Sequence, residues 1–199
     1  MSLPELFQRT RQTLDLRIPP VDDERAMLLP GFPTIIPLVM QTQKVEFWCW
    51  AAVASSVSRH YAPASQFTQC LIANAVLGAG SCCLNENSPA CNRMSTLEGA
   101  LMRTGNLAPN GVKNGPATPD QLRAQIRDAV PRRVVGCGIR WADMRGHFVV
   151  IHGFSIDSNG VFWLAIADPR YGPSEYTYDA FVNRYRETGK WVFSYATEP

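Results

Sequence analysis

Gln43-Lys44-Val45-Glu46-Phe47-Trp48-Cys49-Trp50-Ala51-Ala52 is the stretch on which the reading of this chain turns. It is a loop that ends abruptly in an amphipathic helix, with a cysteine at the junction and small residues behind it. A thiol at a helix N-terminus stands against unpaired backbone N–H groups and the positive end of the helix dipole, which favours thiolate over thiol. Acyl chemistry also needs donors aimed at the oxygen that turns negative during attack. Gln43 can supply a side-chain N–H for that purpose, and Cys49 its own backbone N–H. The plainer alternative is a buried structural cysteine on a core helix.

A reactive thiol needs a proton acceptor that can later protonate a leaving amine, and histidine suits both tasks. The chain has three. His60 lies on the same predicted helix as Cys49, roughly 16 Å away by helical rise, and cannot reach the sulfur. His147 opens a strand, Gly146-His147-Phe148-Val149-Val150, and His152 follows on it. Strand alternation sends the two to opposite faces, so at most one lines a cleft. His147 is the candidate base, and His152 is read as a half-buried or surface strand residue. The imidazole must be held in one tautomer by an oxygen on its other nitrogen. Asp168, in Ala167-Asp168-Pro169-Arg170-Tyr171-Gly172, ends the next strand and is brought beside His147 by antiparallel pairing. A turn-forming aspartate before proline is the competing role.

Gln43, five spacers and then Cys49-Trp50-Ala51-Ala52, followed by the Gly146-His147 strand and the Asp-Pro-x-x-Gly ending at Asp168, resembles the papain-like cysteine proteases. The chain lacks the extra glycine and cysteine that papain and the cathepsins carry just before the nucleophile. It is closer to the bacterial branch, the double-glycine leader peptidases and injected effector proteases. The resemblance covers roughly Ile36 to Asp168. It implies peptide hydrolysis by a Cys49-His147-Asp168 triad with Gln43 at the oxyanion, no metal and no organic cofactor. Trp48 and Trp50 flank the nucleophile and are candidates for the cleft wall, with Trp50 also suited to packing on the strand lobe. The resemblance further implies a protein or peptide substrate and an immunity protein able to plug the cleft. The same triad would also serve deamidation, transglutamination or peptidoglycan amide cleavage, and a catalytically silent papain-like domain would bind a peptide instead.

Composition sets the frame. A chain of 199 residues holds one well-buried core or two small lobes. With 46% hydrophobic and 18% charged residues and a net charge of +2, no basic patch recommends nucleic acid. No apolar run approaches membrane-spanning length, so no membrane partner is expected. The N-terminus mixes Glu, Arg and Gln with leucines and carries no ordinary secretory signal pattern. Yet Cys70, Cys82, Cys83 and Cys91 crowd into one Gly-, Asn- and Ser-rich window that reads as a disulfide-stapled loop. Zinc and reduced thiols are the competing accounts, although adjacent cysteines do not give the two-residue gap of a knuckle. A bridge between neighbours is strained, so one of Cys82 and Cys83 should pair with Cys70 and the other with Cys91. Disulfides without a signal point to secretion or delivery into a target cell by a specialised bacterial machine, or to a trimmed parent chain.

Taken in order, residues 1–37 read as an N-terminal arm, pro-region or linker interrupted by prolines, with a short amphipathic helix over Leu3 to Leu16. Self-processing near Leu29-Pro30-Gly31-Phe32 is a further possibility of that arm. Residues 38–199 form the catalytic domain: a helical lobe to about 130 and a strand lobe from about 131. Thr34 to Met40 is a β-branched run that delivers the chain to Gln43. Helices are predicted from Cys49 to about Tyr61 and from Thr68 to Val76, the second closed by Gly78. Two more start at Ser95-Thr96-Leu97-Glu98 and Thr118-Pro119-Asp120-Gln121, each a capping box. Asn106 to Gly115 reads as an irregular crossing. Beyond Pro131 four β-rich runs follow, Val134–Arg140, Phe148–Ile156, Val161–Ala167 and Trp191–Tyr195, with a short helix over Tyr178–Arg184. Helices first and strands second give an α+β fold, matching a papain-like pair of lobes across a cleft.

Overall fold

The computed structural model describes residues 34–199. The helix and processing site read within Leu3 to Phe32 lie outside the described residues. The chain enters as a two-residue strand, β1 (Thr34–Ile35), and then passes through the Gln43 loop into α1 (Cys49–Tyr61). Residues Cys49 to Ser58 of α1 are all buried, which their small side chains permit: alanine and serine let neighbouring backbones approach closely. Packed on α1 are α2 (Gln69–Leu77), α3 (Leu97–Thr104) and one face of the central strand β4.

The helix boundaries follow from capping chemistry. Thr68 accepts a hydrogen bond from the Leu71 N–H, and Gly78 ends α2 in the left-handed region at φ 66°. The third helix starts one residue later than the Ser95-to-Glu98 pattern implies. Thr96 is the N-cap, accepting from Gly99 N at 3.2 Å, and the reciprocal glutamate bond is absent from the bonds of that terminus. At α4 (Pro119–Arg123) the capping box is complete, Thr118 and Gln121 each satisfying the other's backbone. A π-helical turn over Ala124–Asp128 continues it.

The rest is a seven-stranded antiparallel sheet. Its strands are β1, β2 (Leu107–Asn114), β3 (Val135–Arg140), β4 (Gly146–Ile156), β5 (Phe162–Ala167), β6 (Ser174–Thr177) and β7 (Lys190–Thr197), with α5 (Tyr178–Arg184) between the last two. The order is β2-β7-β3-β4-β5-β6, and β1 pairs with β4 beyond the end of β3. Central strands β3 and β4 are almost wholly apolar because both neighbours and the helices cover them.

Two sequence expectations need correction. Asn106 to Gly115 is no irregular crossing but contains strand β2 on β7, disguised by a bulge between Leu107 and Val112. Asn110 sits there at φ 52°, and a Cβ on Gly111 would come within 2.6 Å of the Ala108 carbonyl, so turn-forming residues are what this strand requires. Strand β6 adds a further strand that the sequence does not predict, since four residues after Pro173 are too few to show a period.

Candidate active site

The sheet register does the assembly. His147 is the second residue of β4, opposite Ile139 of β3, and Asp168 follows directly on β5, which pairs with β4 from Val150↔Ala167 onward. The two side chains therefore meet at the same end of adjacent strands. The His147 Nε2 lies 3.0 Å from each carboxylate oxygen of Asp168. This leaves Nδ1 free of Asp168, and Cys49 lines the same cleft as the ring. Cys49 itself is the first residue of α1. No side chain caps that helix, and no carboxylate stands in its first turn, so its leading N–H groups are left for another acceptor.

Electrostatics follow from this enclosure. Burial opposes a charged His147, but the Asp168 carboxylate and the Cys49 sulfur together outweigh it and raise its pKa to about 9. Burial likewise works against an ionised Asp168, and there too the partners win. His147, the Tyr185 hydroxyl and the Arg170 backbone N–H hold its pKa below the ordinary carboxylate value. Oδ1 accepts from Arg170 N at 2.7 Å and Tyr171 N at 3.0 Å, and Oδ2 accepts from the Tyr185 hydroxyl at 2.6 Å. Tyr185 is fully buried just beyond α5, and its own pKa is raised by burial and by that neighbouring carboxylate. Nothing in the sequence around Tyr185 announces this contact, which depends on how α5 folds back on the sheet.

Aromatic rings close around the imidazole. Trp141 stacks against it at 6.2 Å between centroids, and Tyr171 meets it edge-on at 5.9 Å. Trp141 could have been suspected as a tryptophan in the polar turn before Gly146-His147. The cleft in front has a volume of about 480 Å³; the helical side contributes Glu46, Phe47, Trp50 and Met94 to its walls.

The other sequence candidates fall out as follows. Gln43 is beside the site, its N–H donating to the Pro169 carbonyl at 2.9 Å and so joining the loop before Cys49 to the Asp168 turn. Its carboxamide Nε2, however, donates to the carbonyls of Val45 (3.1 Å) and Glu46 (2.6 Å). Trp48 is fully buried and belongs to the core, with its indole N–H on the Cys91 carbonyl at 2.7 Å; it does not line the cleft. Trp50 does, and its indole N–H reaches the Arg93 carbonyl at 3.2 Å. His152 is the extra residue of the β4 bulge between Ile151 and Gly153, and its Nδ1 donates to the Ile36 carbonyl at 2.9 Å, away from the sulfur. The disulfides are Cys70–Cys83 and Cys82–Cys91, while Cys137 is a buried thiol in β3.

The family model described as papain-like cysteine protease AvrRpt2 matches residues 33–186. No curated protein matches the chain in sequence. Among solved structures, the chain is similar to a double-glycine motif protease from an AMS/PCAT transporter in complex with its leader peptide. The identity is 18% over 84% of this chain and 99% of that one, with a TM-score of 0.46. It is also similar to the Pseudomonas avirulence protein AvrPphB, at 15% identity over 74% of this chain and 76% of that one, with a TM-score of 0.33.

Proposed function

The chain belongs to the papain-like cysteine protease AvrRpt2 family, and from that premise we propose an endopeptidase that works through Cys49, His147 and Asp168. The observation that carries this reading is the imidazole of His147, bonded to the Asp168 carboxylate at 3.0 Å and lining one cleft with Cys49. Cys49 attacks the scissile carbonyl, forming an S–C bond as the carbonyl electron pair moves to oxygen. The unpartnered N–H groups at the start of α1 receive that oxyanion. Gln43 joins them by releasing one amide hydrogen from the Val45 or Glu46 carbonyl. His147 then gives its Nδ1 proton to the departing amine, and afterwards takes one from the water that cleaves the thioester. Asp168 keeps the ring in the tautomer that points Nδ1 at the sulfur.

Its place of work is part of the same proposal: an effector or toxin protease, acting on a protein or peptide after export. The two disulfides support an oxidising stage in its life. An immunity protein plugging the cleft would then protect the producer. The test compares a proteome treated with wild type and with Cys49→Ala by mapping new N-termini, and compares the toxicity of both proteins expressed in the periplasm and cytoplasm. New termini made by wild type alone are expected. Equal termini from both proteins would remove Cys49 from the chemistry, and harmless wild type in both compartments would remove the toxin role.

A further inference from the structure

The two walls of the cleft carry opposite charge. Glu46 is the ionisable side chain that the helical wall brings to it, whereas the strand wall brings Arg145, Arg170 and Arg186 against one acid, Asp143. Arg145 is already neutralised, its Nε lying 2.7 Å from Asp143. Arg170 and Arg186 make no ion pair with any carboxylate among the described residues. Both guanidinium groups instead lie over the ring of Tyr171, at 5.6 and 4.2 Å from its centroid. Stacking fixes a guanidinium plane and leaves donors of the fork for a carboxylate, although Arg186 also lies 5.8 Å from the Tyr185 ring and acts on its hydroxyl. The Nε–H of Arg186 is moreover buried and has no hydrogen-bond partner, an unmet donor at the edge of the cleft.

The position of this pair says which half of a substrate it meets. Tyr171 meets the His147 ring edge to face, so the arginines stacked on it stand on the imidazole's wall of the cleft, the wall that the departing amine must approach to be protonated. Glu46 stands with Cys49 and Trp50 on the other wall, where a substrate carboxylate would be repelled. Resting on the protease reading above, we propose that Arg170 and Arg186 select substrates with an aspartate or glutamate within the first few residues after the scissile bond. The carboxylate accepts from both guanidinium groups and draws the leaving segment over Tyr171, next to the proton donor.

The experiment takes a peptide cut by wild type and not by Cys49→Ala, and pairs it with versions carrying Glu or Gln at each of the first three positions after the cut. A kcat/KM ratio of about tenfold for Glu over Gln at one position is expected, as for a charge-assisted pair at a partly exposed site. The ratio should collapse in Arg170→Gln/Arg186→Gln and invert toward lysine peptides in Arg170→Glu/Arg186→Glu. In wild type it should also shrink as salt rises from about 50 to about 500 mM, which keeps the test decisive should a variant fail to fold. A ratio near one at all three positions, or one indifferent to salt and to both variants, overturns the inference while leaving the protease reading intact. Cleavage that persists in Cys49→Ala, or none by wild type, overturns both.

Discussion

Breaking the Cys82–Cys91 bridge should disable the proposed nucleophile, Cys49, from a distance. Cys91 and the two residues after it hold the Cys49 segment at three points: Phe47 N on Asn92 Oδ1 at 3.1 Å, Trp48 Nε1 on Cys91 O at 2.7 Å, and Trp50 Nε1 on Arg93 O at 3.2 Å. The bridged residues are separated by 9 positions, and those of the Cys70–Cys83 bridge by 13. Loop-closure entropy then assigns about 2.7 and about 3 kcal/mol to the two. They share adjacent cysteines, so the two values are not additive. For a domain of this size about 2.7 kcal/mol corresponds to a loss of roughly 5–10 °C in Tm. Each indole bond released strands a carbonyl as well, and such a group costs about 1–3 kcal/mol where water cannot reach it. The assay is thermal melting and peptide cleavage by Cys82→Ala/Cys91→Ala, with cleavage measured well below its Tm, beside wild type titrated with dithiothreitol. Activity should fall as the structural thiols appear, although the same reagent protects the Cys49 thiol. Full kcat/KM in the double variant, with Tm within about 2 °C of wild type, would refute the argument that this loop positions the nucleophile.

Three other outcomes are expected. Tyr185→Phe removes the 2.6 Å donor to Asp168, a bond to a buried charge worth about 1.5–3 kcal/mol. It should lower kcat and move the acid limb of the pH–rate profile upward, because one of the groups holding the Asp168 pKa down is gone; an unmoved acid limb would leave Tyr185 with a packing role only. The raised pKa of His147 has a definite sign. Its protonated form contributes fully to stability below the unfolded value of 6.5, and that contribution is lost as pH rises through about 9. The Tm difference between wild type and His147→Gln should therefore shrink across that window, with the alkaline limb of kcat/KM near pH 9; a difference flat in pH would contradict the ion pair. Gly189→Ala would place a Cβ 2.8 Å from Ile139, Trp141 and the Tyr185 carbonyl together. It should cost about 1–3 kcal/mol and lower kcat by tilting Trp141 off His147, read as a paired loss in Tm and turnover.

The reach of the sequence can be judged residue by residue. The helices from Cys49 to about Tyr61 and over Tyr178–Arg184 were readable because their patterns act locally; the Thr177 cap that starts the second is visible in the structure. That His147 would meet Asp168 and share a cleft with Cys49 was legible because each sits at the end of an element whose pattern is clear. Strand β2 was not, since its bulge needs Pro109, Asn110 and Gly111, the residues that ordinarily signal a loop. Trp48 was misjudged for a related reason: adjacency to a nucleophile says nothing about which way a ring points, and its partner at Cys91 is remote in sequence. Tyr185 left no trace for the same reason, its role arising from a fold-back that no local pattern encodes.

The hydrogen bonds around Asp168 have a consequence for motion during turnover. Two backbone N–H groups, a phenol and an imidazole fill the four places its oxygens offer, so this carboxylate is a fixed bearing with no slack. The imidazole can pivot on it but cannot drag it along. The travel that the proposed proton transfer from sulfur to nitrogen needs must come from the thiol rotor and the incoming chain, and bulk introduced beneath the bearing would jam the pivot before it touched any reacting atom.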